Sequence, residues 1–269
     1  MDSEKKVNLS KSFEEKITPK SQFVKKEIKG IKKIIAVSSA KGGVGKSTIC
    51  ANLAIASEKM GNKVGILDAD IYGPSIPQLF NVFTKPSSED GKKLKPIEKQ
   101  NIKLMSIGFL IDQNSPMVWR GPMVISAIKT FTDNVEWGEL DYLFIDMPPG
   151  TGDALLTFAQ SIKIDGAIII TTPQILSIND ANRGIEMFKK TDVPILGVIE
   201  NMSYLLDQNK NKEFIFGKKG GETLAKNQGL NFFGEIPIDK TFNTSSNNSI
   251  FDSLNQDIKN IFMNFVKEI

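Results

Sequence analysis

The chain has 269 residues, 40% of them apolar, enough to build the core of one α/β domain. Its apolar runs all fall short of the roughly 20 residues a membrane-spanning helix needs, and its Lys-rich amino terminus is not followed by an apolar stretch, so neither a span nor a secretory leader is read and a cytoplasmic location is expected. Histidine is absent and Cys50 is the single cysteine, which excludes His-based acid–base chemistry, zinc sites of the usual kind and disulfides within the chain. Carboxylates and hydroxyls remain for a hard cation such as Mg²⁺.

The net charge of +3 is unevenly placed. Residues 1–33 carry ten Lys against five acids, leaving 24 basic and 26 acidic residues for the rest of the chain. Residues 1–30 therefore read as a basic, weakly structured leader, a solvated one rather than a polybasic membrane or RNA tail. Residues 31–269 read as a single domain with no nucleic-acid footprint.

In chain order, an apolar strand-like run at 34–38 leads into Lys41-Gly42-Gly43-Val44-Gly45-Lys46-Ser47-Thr48, and a helix-compatible run at 46–60 follows. Strand, glycine loop, helix is the context of a phosphate-binding loop. Glycines let backbone N–H groups point at a polyphosphate, and the helix amino end adds positive potential there. Gly42, Gly43, Val44, Gly45, Lys46, Ser47 and Thr48 are assigned to the phosphates, with Lys46 reaching β- and γ-phosphates and the Ser47 hydroxyl ligating Mg²⁺. The general pattern asks for Gly where Ala40 stands, and Lys41 opens the loop instead. Cys50, among Ala51, Leu53 and Ala54, reads as a small buried hydrophobe.

The next strand, 64–68, ends in Asp68-Ala69-Asp70, two carboxylates that can face one γ-phosphate. Residues 83–100, rich in Lys, Pro and Ser, read as a mobile surface insertion. A strand at 102–107 follows, and then Arg120, one of only two arginines, which is read as an interface or switch residue. After a helix at 123–135, the strand at 142–146 delivers Asp146 into a glycine-containing loop, the Walker B arrangement for holding Mg²⁺ through water. Gly150 and Gly152 give that loop the freedom of a nucleotide switch, and Asp153 is expected to cap the helix at 153–160. Strands at 166–172, 195–201 and 232–236 alternate with helices at 179–190 and 218–227. This alternation predicts an α/β fold, a doubly wound, mostly parallel sheet with helices on both faces and ligands at the strands' carboxyl ends. Asn201, at such an end, can both donate to and accept from the edge of a base. Phe251, Leu254, Ile258, Ile261, Phe262, Phe265 and Ile269 share helical spacing; with Asp252 and Asp257 on the polar side, that helix suits packing on the domain better than anionic lipid.

The loop K-G-G-x-G-K-S resembles the deviant Walker loop of the MinD/ParA-type P-loop ATPases. That resemblance implies ATP as ligand, a nucleotide-sandwich homodimer with Lys41 acting across the interface, Asp70 positioning the attacking water, Asn201 reading adenine and the Pro237 loop lying against its other side. Lys41, Lys46 and Asp70 are thus the catalytic set. The stretches DADIYGPS at 68–75, SIGFL at 106–110, WRGPM at 119–123, DMPPGTGD at 146–153, NMSY at 201–204, IFG at 215–217 and GEIP at 234–237 are similar to the Mrp/ApbC/Nbp branch, over roughly residues 30–245. This branch implies slow ATP hydrolysis, a [4Fe–4S] cluster as cargo, and iron–sulfur assembly or recipient proteins as partners, with neither membrane nor nucleic acid.

Two departures stand out. Many members carry an extra amino-terminal domain, where this chain has about thirty leader residues. Cluster-bearing members have C-x-x-C just after the NMSY stretch, where this chain reads Leu205-Leu206-Asp207-Gln208-Asn209. No cluster ligands are identifiable, since a [4Fe–4S] cluster wants four thiolates and a homodimer offers two. The rival readings are a MinD/ParA-type membrane or chromosome positioning switch, and a nucleotide-switched client adaptor without its own cluster.

Overall fold

Aliphatic and β-branched runs form the strands of the sheet, and their burial says they are covered on both faces. The computed structural model describes residues 25–88, 91–110, 121–242 and 250–269; Arg120 and residues 1–24 lie outside these. The strands are β1 (Ile31–Ser38), β2 (Val64–Asp68), β3 (Ile97–Lys99), β4 (Ile102–Ser106), β5 (Leu140–Asp146), β6 (Gly166–Thr171), β7 (Ile195–Glu200), β8 (Leu205–Leu206), β9 (Lys212–Glu213) and β10 (Phe232–Glu235). Eight of them make one sheet in the order β10-β7-β6-β1-β5-β2-β4-β3, and β8 and β9 form a separate hairpin. Every neighbouring pair in the large sheet is parallel except β3 with β4 at the edge. β2 and β6 are buried along their whole length, as parallel strands under helical layers must be.

The helices are α1 (Lys46–Lys59), α2 (Ile76–Leu79), α3 (Gly121–Lys129), α4 (Asp153–Ser161), α5 (Ile175–Lys190), α6 (Gly220–Gln228) and α7 (Gln256–Lys267). α1 is buried on nearly every side because it lies between the sheet and α7. Such a helix needs apolar or small residues all round, which Ile49-Cys50-Ala51-Asn52-Leu53-Ala54-Ile55-Ala56 supplies. α7 turns Ile258, Phe262, Phe265 and Val266 inward. Phe262 meets Phe242, Phe251 and Phe265 at ring centroid distances of 6.2–6.4 Å. Phe262→Ala is expected to cost about 4 kcal/mol through lost burial and the cavity left behind. For a domain of this size that lowers the melting temperature by about 10 °C; a fall below about 2 °C would mean that α7 is peripheral to the core.

The structure corrects three boundaries. Residues 25–30, assigned to the leader, are tied to the domain: the Lys26 N–H donates to Ser161 O at 2.8 Å, the Lys163 N–H donates to Lys26 O at 2.9 Å, and Ile28 is buried. The described part of the 83–100 insertion is pinned rather than loose. Leu94 exchanges backbone hydrogen bonds with Asn134 and Glu136, and β3 pairs with β4. Asp153 does not cap α4; Gly152 occupies the cap position without a side-chain bond, and Asp153 stands in the first turn, where its charge suits the helix dipole. Among the described residues no helix is long and apolar enough to cross a membrane.

Candidate functional site

Three central strands deliver their ends to one crevice. Register sets Val37 of β1 opposite Asp146 of β5, and Asp146 opposite Asp68 of β2. The carboxyl ends therefore emerge side by side, where open α/β sheets bind ligands. Residues 41–48 leave β1 there and enter α1. Gly43 and Gly45 hold φ angles of 78° and 84°, and a Cβ on Gly45 would stand 2.4 Å from Nδ2 of Asn201, so only glycine fits at that position. α1 has no capping side chain and no acid in its first turn. Its first N–H groups and the positive end of its dipole are thus left for an anion. A cavity of about 430 Å³ lies over them, bordered by Gly42, Lys46, Ser47, Asp70, Ser75 and Pro149.

Lys46 folds back onto the acids of this crevice. Its Nζ is 2.5 Å from Asp146 Oδ1, 3.5 Å from Asp70 Oδ2 and 3.4 Å from Ser47 Oγ, with the residue only 6% exposed. Burial alone would lower the Lys46 pKa, but the Asp146 and Asp70 carboxylates outweigh it and the net shift is upward. Burial raises the Asp146 carboxyl, and the Lys46 ammonium opposes that rise. Oδ2 of Asp146 is buried without a hydrogen-bond partner. An orphaned anionic oxygen close to a serine hydroxyl suits a hard cation or the water that cation carries, so the donor set fits Mg²⁺.

The two carboxylates of Asp68-Ala69-Asp70 part company. Asp68 is fully buried and structural: its Oδ2 accepts from the Ile76 N–H at 3.1 Å and the Ser106 hydroxyl at 3.0 Å. Burial and then the neighbouring Asp146 push its pKa up to about 8. Asp70 borders the phosphate cavity. Its Oδ1 accepts from the Tyr72 and Gly73 N–H groups at 3.2 and 3.3 Å, fixing Oδ2 toward Lys46. Lys41 is partly exposed and its ammonium has no ion pair or hydrogen bond among the described residues. The loop after β5 is tied to this crevice by the Gly150 N–H, which donates to Ser39 O at 3.0 Å. Cys50 lies one turn into α1 at 0% exposure, and burial pushes its thiol pKa well above the usual range.

A second cavity, of about 380 Å³, adjoins the first; Gly45 and Thr48 border both. Its walls are almost wholly apolar: Ile49, Met202, Phe216, Pro237, Ile238 and Phe242. Asn201 stands on its border and donates from Nδ2 to Val44 O at 2.8 Å, which leaves its carboxamide oxygen as the group able to accept from a base. Asn201 and Pro237 both line this cavity. Ile49, Met202, Phe216 and Phe242 come from segments far apart in the chain; Met202 lies in the NMSY stretch and Phe216 in the IFG triplet, whereas Ile49 and Phe242 belong to no such stretch. A third cleft, about 490 Å³, lies at the opposite, amino-terminal ends of β2 and β4, between Glu58, Lys63, Asn101, Lys103 and Glu139. There Asn101 bonds Glu58 and Lys103 bonds Trp137 O. Among the described residues no glycine loop or helix amino end lines it, so it lacks the features of a phosphate site.

Comparison with known proteins agrees with this geometry. A ParA-group family model, described as NUBPL iron-transfer P-loop NTPase, matches residues 30–269. The chain is 48% identical over 223 residues to the "iron-sulfur protein required for NADH dehydrogenase, mitochondrial" of Arabidopsis thaliana, covering 82% of this chain and 71% of that one. It is 50% identical over 211 residues to the iron-sulfur cluster carrier protein of Pseudomonas fragi, covering 77% and 74%. Among solved structures it is similar to the nucleotide-binding protein of Archaeoglobus fulgidus in complex with ADP, at a TM-score of 0.69, 40% identity, and coverage of 89% and 88%.

Proposed function

The chain belongs to the NUBPL iron-transfer P-loop NTPase family, and on that footing we propose that it is a Mg²⁺-dependent, slowly hydrolysing, dimeric ATPase that acts in iron–sulfur cluster delivery in the cytoplasm. The observation that carries the ATPase reading is the buried Lys46–Asp146 pair beneath the uncapped amino end of α1, with Oδ2 of Asp146 unsatisfied.

In this reading the N–H groups of residues 42–48 take the phosphates, and the Lys46 ammonium moves from Asp146 to the β- and γ-phosphates. That frees Asp146, which with Ser47 would hold Mg²⁺. The cation, when bound, supplies charge neutralisation on the phosphate oxygens. Asp70 orients the attacking water. Its basicity matters little, because the loose transition state of phosphoryl transfer asks for positioning and charge stabilisation rather than strong proton abstraction. Lys41, free of partners among the described residues, reaches the phosphates of the other protomer. Asn201 accepts from the adenine amine, and Pro237 lies against the ring.

The cluster is cargo, and its thiolates come from another protein. A thiol has to ionise to bind iron, and Cys50 is fully buried with its pKa raised. Anaerobic reconstitution of the purified protein with iron and sulfide is therefore expected to leave no stoichiometric cluster on wild type or on Cys50→Ser, while both hydrolyse ATP in Mg²⁺ and stop in EDTA. A cluster present on wild type and lost in Cys50→Ser would overturn the borrowed-thiol reading. The exposed side chains of Leu205, Leu206 and Ile215 favour one second reading, an adaptor that holds a client in one nucleotide state. A client pull-down that changes between ADP and a non-hydrolysable ATP analogue, with no iron transferred, would support it. The positioning-switch reading loses ground, because the apolar face of α7 is packed on the domain.

A further inference from the structure

Between β7 and α6 the chain makes an excursion, residues 204–219, that one buried carboxylate holds at both ends. Oε1 of Glu200 accepts from the Ser203 hydroxyl at 2.8 Å and Oε2 accepts from the Gly221 N–H at 2.5 Å. The excursion has structure of its own. β8 and β9 pair antiparallel, Oδ1 of Asp207 accepts from the Asn209 and Asn211 N–H groups, and the Lys212 ammonium sits 3.9 Å above the Tyr204 ring while pairing with Glu235. At its far end Gly217, with φ 113°, and Gly220 are seated against the Pro173 carbonyl, where added Cβ atoms would stand 3.2 and 2.9 Å away. Phe216 directly precedes this close approach.

Phe216 lines the apolar cavity beside Asn201, yet it is 39% exposed. Pro237, Ile238 and Phe242, which line the same cavity, belong to the segment after β10. A half-exposed ring over an apolar slot leaves area that a flat partner can cover, and an aromatic face suits a π-system there. We propose that Phe216 stacks on the base of the bound nucleotide, and so ties the arm 204–219 to nucleotide occupancy. The proposal rests on the nucleotide reading above and adds to it a base-contacting residue and a route from the site to the surface that carries Leu205, Leu206 and Ile215.

The test separates the base from the phosphates by titrating wild type, Phe216→Ala and Phe216→Leu with Mg·ADP and with inorganic tripolyphosphate. Stacking on an aromatic ring predicts that both variants bind ADP about tenfold more weakly. Tripolyphosphate affinity should stay within about twofold of wild type by the same reasoning, because no base is present. Phe216→Leu keeps apolar volume without a π-face, so it guards against a merely unfolded Phe216→Ala. Hydrogen exchange across 205–217 should slow on ADP binding in wild type and not in the variants. ADP affinity equal to wild type in Phe216→Leu would overturn the proposal, as would equal weakening of both ligands. A wild type that binds neither ligand would overturn the nucleotide reading itself.

Discussion

Lys46→Ala is expected to lose at least a hundredfold in Mg·ATP affinity and to melt well below wild type. Both effects follow from one ammonium. In the absence of nucleotide it neutralises Asp146 at 2.5 Å and faces Asp70 at 3.5 Å, in a crevice where Asp68 is also buried. In the proposed ATPase cycle it is the charge available to the β- and γ-phosphates. Truncating one member of a buried, hydrogen-bonded charge pair typically costs about 2–5 kcal/mol, most of it the penalty of leaving the other charge alone. The loss should depend on pH in a definite sense. The Asp68 carboxyl stands near 8, far above the roughly 4 of an unfolded chain, and Asp146 is also raised. A carboxyl raised on folding contributes stability in acid that is lost as pH climbs from its unfolded toward its folded pKa. Removing Lys46 raises these carboxyls further. The melting temperatures of wild type and Lys46→Ala should therefore lie closest near pH 5 and diverge toward pH 8. Superimposable ATP-binding curves for the two proteins would sink the phosphate assignment.

Asp70→Ala should separate binding from chemistry. Its contact with Lys46 is the longer of the two carboxylate contacts, and Asp146 alone can hold that ammonium, so Mg·ATP affinity should change by no more than about threefold, under 1 kcal/mol. Hydrolysis should fall by about 10²–10³, the scale on which a positioned side chain assists the attacking group. Single-turnover assays at saturating Mg·ATP read the chemical step directly. If the variant turned over within about threefold of wild type, the water would have to be held by another group, and the orientation of Asp70 by the Tyr72 and Gly73 N–H groups would serve the loop rather than the reaction.

The parts of this molecule that could be read in the sequence are those whose signal is local. The runs behind β1, β2, β5 and β6 are largely apolar because both faces of the sheet are covered, and those of β1, β2 and β5 lead into the glycine loop, Asp68-Ala69-Asp70 and Asp146. The phosphate loop, Asp70 and Asp146 were legible for that reason. Their convergence depends on register between strands far apart in the chain, and the fold supplies that register. Misreadings arose where polar composition conceals long-range pairing. Lys-rich residues around Leu94 looked loose, yet their backbone bonds reach Asn134 and Glu136. Residues 25–30 looked like leader because charge outweighs one buried Ile28. The apolar cavity beside Asn201 is half legible: Asn201 and Pro237 carry polar or rigid signatures, whereas Ile49 and Phe242 look like any core residue until distant segments bring them together.

The position of Cys50 turns the protein into its own clock. The thiol lies in the central helix, sealed in the core between the sheet and α7. A thiol reagent reaches it only when that sandwich opens, so its labelling rate measures the frequency of large opening events instead of local fraying. Because no other cysteine competes, the same reagent added in the presence and absence of ATP reads how strongly the nucleotide holds the molecule shut.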